Sequence, residues 1–113
     1  MMIEIEQLKN IIVERLKPFE PEKIILFGSY AYGTPNKESD IDLYVVTNDD
    51  FLPKDYEENN KVYMNISRTI RDIKEEFSID LIVHTKKMYE KFVRLNSSFS
   101  REILNKGIAL YES

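Results

Sequence analysis

Three aspartates carry the chemical interest of this chain. Asp40 and Asp42 flank Ile41 at the entrance of the apolar run Ile41-Asp42-Leu43-Tyr44-Val45-Val46-Thr47. Side chains of an extended strand alternate between its two faces, so both carboxylates fall on one face and Ile41 on the other. Two like charges held that close repel, and a cation between them relieves the repulsion. Hard divalent ions with oxygen ligands, above all Mg²⁺, suit such a pair and complete their shell with water and phosphate. Asp80 is the lone charge inside Ser78-Ile79-Asp80-Leu81-Ile82-Val83. A charge in so apolar a strand is costly unless it is paired or metal-bound. Alternation puts Asp80, Ile82 and His84 on one face, with Ile79, Leu81 and Val83 opposite. Gly28-Ser29 closes an earlier apolar run. A glycine there lets a phosphate approach the backbone, and Ser29 adds a hydroxyl and an amide. Acidic metal ligands beside a phosphate cradle make a site for metal-assisted chemistry at phosphorus.

The elements that must position these residues can be read from the pattern. Residues from about Ile5 to Lys17 form an amphipathic helix with Ile5, Leu8, Ile12 and Leu16 on one face, ended by Pro18 and Pro21. Lys23 to Phe27 reads as a buried strand. Gly28 to Ser39 is a turn region with room for a short helix near Ser29. Ile41 to Thr47 is a second strand, followed by a loop over Asn48 to Pro53. A long helix runs from about Lys54 to Phe77, with Tyr63, Ile66, Ile70, Ile73 and Phe77 facing the core. Ile79 to His84 is a third strand. A last helix runs from Lys86 to about Lys106, carries Met88, Phe92, Leu95, Phe99 and Ile103 on one stripe, and can break at Ser97 and Ser98. Gly107 is its expected C-cap, and Ile108 to Tyr111 is an apolar tail docking on the body. This order predicts an α/β (α+β) fold, a small mixed sheet packed with helices.

Composition narrows the options. The chain has 113 residues, which fits a single domain over residues 1–113. It has no cysteine, so disulfides, zinc–cysteine sites and thiol catalysis are excluded. No apolar run approaches the ~20 residues that span a bilayer, and no basic segment precedes an apolar one at the N-terminus. A cytoplasmic protein is expected. The net charge of −4 argues against nucleic acid as partner, since binders of its backbone carry a basic face.

Gly28-Ser29, ten residues, then Asp40-x-Asp42 resembles the signature of DNA polymerase beta-like nucleotidyltransferases. Asp80 resembles the third catalytic aspartate of that superfamily. The short length and the ending Glu102-Ile103-Leu104-Asn105-Lys106-Gly107-Ile108-Ala109-Leu110-Tyr111 look like the minimal nucleotidyltransferases, the MNT antitoxins that act with HEPN-domain proteins. The resemblance implies transfer of a nucleoside monophosphate, AMP from ATP, to a tyrosine of a HEPN toxin partner, with Mg²⁺ as cofactor. It implies that Asp40, Asp42 and Asp80 are catalytic metal ligands and that Gly28 and Ser29 bind the nucleotide. One position departs from the family pattern: Tyr32 stands where Gly-Ser-x-Ala-Arg-Gly has arginine. Lys37, Lys86 and Lys87 are the candidate replacements for that cation.

Other readings compete. Gly28-x4-Gly33 mimics the start of a P-loop, but Thr34-Pro35 occupies the place of the required Lys-Ser/Thr. His84 is expected to make a structural hydrogen bond rather than touch a nucleotide. Tyr30 and Tyr32 are expected to pack beside the loop rather than stack on a base. Asp49-Asp50 and Glu57-Glu58 read as solvated surface. Two alternatives to the enzyme are a binding module that neutralises a HEPN partner by contact and a structural domain in a homo-oligomer.

Overall fold

The computed structural model describes residues 4–33 and 40–113. Four strands form one mixed sheet in the order β3-β2-β1-β4, with β1 Lys23–Phe27, β2 Ile41–Val46, β3 Ile79–His84 and β4 Ile108–Glu112. β1 runs antiparallel to both β2 and β4, whereas β2 and β3 are parallel. Parallel neighbours need a crossover, here supplied by α3 Tyr56–Thr69 and α4 Arg71–Glu76. The remaining helices are α1 Ile5–Leu16, α2 Ser29–Tyr32, α5 Lys86–Leu95 and α6 Ser98–Arg101, which leads into a π-helical turn at Glu102–Lys106.

Alternation along the strands divides the core in two. Ile24, Leu26, Ile41, Leu43, Val45 and Val83 face α1, α3 and α4, where Leu8, Ile12, Leu16, Val62, Ile66, Ile70 and Ile73 meet them. Ile25, Phe27, Tyr44 and Val46 face the other way, against Ile103 and the partly buried Ile82, Tyr89, Phe92 and Leu104. Arg15 donates to both oxygens of Asp72 at 2.7 and 2.8 Å and so ties α1 to α4.

The departures from the sequence reading, and the break it allowed at Ser97 and Ser98, have local causes. The long second helix is broken at Ile70, whose φ and ψ of −114° and 22° leave the helical region. The Thr69 hydroxyl bonds back to the Asn65 carbonyl just before that break, a pattern that bends helices. The last helix ends at Leu95, where Asn96 adopts the left-handed conformation, and it restarts with Ser97 capping Ser100 N. The tail is a strand, β4, laid along β1. Gly107 does follow the helical segment, but at φ −70° it is not a left-handed cap. Its lack of a side chain matters because a Cβ would lie 2.3 Å from the Ile103 carbonyl oxygen and 2.6 Å from Ile25 Cγ2.

Candidate active site

The parallel register of β2 and β3 sets Asp42 directly opposite Asp80. Both lie on the face turned toward α5, at the end of the sheet where β1 delivers Phe27 and Gly28. Phe27 is the antiparallel partner of Asp42, so Gly28 follows immediately beside the carboxylate. The fit is close. A Cβ on Gly28 would stand 2.0 Å from Asp42 Oδ2, and the residue has φ +78°. The missing side chain of Gly28 thus makes room for the Asp42 carboxylate. Ser29 begins α2, and the amides of Ala31 and Tyr32 return to the Gly28 carbonyl at 3.0 and 3.1 Å.

Burial raises the Asp42 carboxyl, and the neighbouring charges of Asp80 and Asp40 raise it further, to about 6. A hydrogen bond with Asp80 and the charge of Glu102 act in the same direction. The charges that act on Asp42 among the described residues are therefore negative. Asp40 is exposed, and its Oδ1 accepts a 2.5 Å hydrogen bond from the Ser78 hydroxyl across the strand entrance. Among the described residues no three acidic or histidine side chains gather into a ready-made metal cage. Asp42 and Asp80 are brought together; Asp40 stands beside them, turned to Ser78. All the donors are hard carboxylate oxygens, and their mutual repulsion is what a hard cation such as Mg²⁺ relieves, so the residues fit that ion.

The sequence reading missed Glu102 and Lys106. They sit at the two ends of the π-helical turn that Gly107 and Ile103 press against β1. Tyr32 is exposed, and Lys106 Nζ lies 5.9 Å from its ring centroid. Partial desolvation, then the hydrogen bond and charge of Glu102, push the Tyr32 phenol up. Of the proposed replacement cations, Lys37 lies outside the described residues. Lys86 and Lys87 start α5 beyond the far end of β3 and pair with Glu22 and with Asp50 and Glu90. Neither stands at the carboxylate end, because a strand of six residues separates them from it. Tyr30 packs against the larger core. His84 lies at that far end too, with Nδ1 2.7 Å from the Tyr44 hydroxyl.

Residues 6–113 match the polymerase beta nucleotidyltransferase family. The chain belongs to that family. A Methanocaldococcus jannaschii protein named as a candidate protein adenylyltransferase is 37% identical over 90 residues, covering 80% of this chain and 78% of that one. The crystal structure of a toxin–antitoxin pair with AMP-PNP contains a similar chain, with TM-score 0.60 and 22% identity over 93% of this nucleotidyltransferase and 73% of that chain. The complex of a tri-AMPylated HEPN toxin from Shewanella oneidensis with its MNT antitoxin gives TM-score 0.51 and 20% identity, covering 96% and 74%. A crystal structure of a Sulfolobus solfataricus protein assigned as a nucleotidyltransferase gives TM-score 0.56 and 24% identity, covering 93% and 77%. These structural likenesses establish the shared fold, and the family match gives the nucleotidyltransferase its class of reaction.

Proposed function

We propose that this nucleotidyltransferase moves AMP from ATP to a hydroxyl group, the acceptor being a tyrosine of a HEPN-domain partner that it restrains as an antitoxin. The observation that carries the reading is the apposition of Asp42 and Asp80, with Gly28 giving way to the Asp42 carboxylate. It is supported by relatives described as a protein adenylyltransferase and as antitoxins crystallised with AMP-PNP or with an AMPylated HEPN toxin. Asp40, Asp42 and Asp80 would hold Mg²⁺, which supplies charge neutralisation for the triphosphate and for the phosphorus under attack. Gly28 and Ser29 border the phosphates. Asp80, exposed at the rim, orients the acceptor hydroxyl and takes its proton. The acceptor oxygen bonds to the α-phosphorus, the bond from that phosphorus to the α,β-bridging oxygen breaks, and pyrophosphate leaves with the electron pair.

The alternative, a module that acts by contact alone, draws on the engagement of Asp40 by Ser78 and on Tyr32 at the motif arginine position. One experiment separates the two. The chain is incubated with α-labelled ATP, Mg²⁺ and a HEPN-domain protein from the same source, and the label is mapped by mass spectrometry. Label on a partner tyrosine, abolished by EDTA, is expected. A partner silenced without acquiring label would establish the contact mechanism instead.

A further inference from the structure

The acidic edge poses an electrostatic problem of its own. Asp40, Asp42, Asp80 and Glu102 all contribute negative charge around the place where an anionic triphosphate has to sit. Divalent ions offset part of the triphosphate charge, and a protein cation beside the outer phosphates adds charge-assisted hydrogen bonds to that. The described structure offers one source. An open groove of about 600 Å³ lies along α6 and the π-helical turn, lined by Ser98, Phe99, Arg101, Glu102, Asn105 and Lys106. It adjoins the carboxylates, because Phe99 packs edge-on at 5.8 Å against Phe27, the strand partner of Asp42. Arg101 is partly engaged, donating to the Asn96 carbonyl. Lys106 instead reaches back over the exposed Tyr32 ring, on the helix that starts at Ser29. A cation over an aromatic face is held by the ring quadrupole and keeps its N–H donors for an anion. Gly107 and Ile103 fix the turn to β1, so the lysine springs from a rigid base.

We propose that Lys106, steered by the Tyr32 ring, is the side chain that grips the β- and γ-phosphates of the nucleotide at the groove mouth. The proposal rests on the nucleotidyl-transfer reading above and extends it to a substrate-holding residue. Lys106 contacts substrate, and Tyr32 is the positioning residue. The role follows from where the π-helical turn ends: that turn brings position 106 back to the α2 side of the site.

Binding, rather than turnover, tests it. Affinities for a non-hydrolysable ATP analogue and for AMP are measured by calorimetry with Mg²⁺ on the parent, Lys106→Gln, Lys106→Arg, and the double variant Tyr32→Arg/Lys106→Gln. Lys106→Gln should lose about tenfold or more for the ATP analogue, the range of a charge-assisted hydrogen bond, and little for AMP. Lys106→Arg and the double variant should recover most of the loss, while melting temperatures stay level. If the parent binds both ligands and Lys106→Gln binds both as well as the parent, or weakens for both equally, the assignment of Lys106 is overturned and the nucleotidyl-transfer reading stands. If the parent binds neither, that reading falls and this one with it.

Discussion

Strands β2 and β3 carry two side-chain pairs on the same face of the sheet, and the pairs are built on opposite principles. At one end Asp42 faces Asp80, two carboxylates with burial and charge both set against ionisation. Two residues further along, Tyr44 is wholly buried, meets His84 Nδ1 at 2.7 Å, and stacks within 5.2 Å of Phe92. The His84 ring in turn meets Phe92 edge-on at 5.2 Å. Every polar atom of the second pair that is fully buried has a partner. Among the described residues nothing cancels the repulsion of the first pair. One end of the strands is optimised for the fold, and the other is kept in a state that only a ligand satisfies. The geometry of the satisfied end anchors the register that holds the frustrated end together.

The largest effect that would break this comparison is expected from Asp42→Asn. Removing one charge relieves the repulsion, so without metal the melting temperature should hold or rise. AMP transfer should meanwhile fall by orders of magnitude, because metal stabilisation of charge at phosphorus contributes several kcal/mol. A variant that transfers AMP like the parent would place Asp42 among ordinary strand residues. The opposite signature is expected from Tyr44→Phe. It strips the hydroxyl from a buried hydrogen bond and should cost about 1–2 kcal/mol in chemical denaturation, with nucleotide affinity unchanged. A neutral result would show that His84 finds another donor.

The smallest effect is a pH dependence with a defined sign. Burial lowers the His84 pKa, so the fold favours the neutral ring that shares a hydrogen bond with Tyr44. The unfolded chain takes up its proton first as pH falls below about 6.5. Stability from this group is therefore full above that value and declines as pH drops toward the folded pKa. Asp42 acts in the other direction: its folded pKa of about 6 lies above the ordinary carboxylate range, so proton uptake below 6 favours the metal-free fold. The two ends oppose one another on acidification. Melting curves between pH 7.5 and about 5 on the Asp42→Asn background should expose the decline due to His84, and a flat profile would show that the ring is free to ionise in the fold.

Much of this was legible from residue order. Period-two alternation places Asp40 and Asp42 on one face of their strand, and Asp80 with Ile82 and His84 on one face of theirs, while the pairing of Asp42 with Asp80 came only from the parallel register of β2 and β3. The exact neighbour of Gly28 was not legible, because register between β1 and β2 depends on the intervening turn. The break at Ile70 was hidden since its apolar stripe, Ile66, Ile70 and Ile73, runs across both helices and is buried throughout. β4 reads as a tail because Ile108, Ala109, Leu110 and Tyr111 show no alternation. Glu102 and Lys106 were missed for a sharper reason. A helical stripe through Phe99 and Ile103 assumes a constant repeat, and the π-helical turn widens it, swinging the residues on either side of Ile103 toward α2. The tyrosine at the arginine position was the available hint, since it left a phosphate-facing cation to be found elsewhere.

β3 is the outermost strand of the sheet, and among the described residues its far edge pairs with no other strand. From Ile79 to Val83 its only charge is Asp80. Free edges invite strands of neighbouring molecules to add on, and a single ionised side chain is one of the devices that prevents this. The carboxylate proposed for chemistry would thus double as a guard against self-association. Neutralising it exposes an uninterrupted apolar β-segment, of the composition that seeds intermolecular sheets. Loss of solubility would then accompany loss of activity at this position, and on the proposed role the same aspartate would answer both to the reaction and to the crowding of identical copies in concentrated solution.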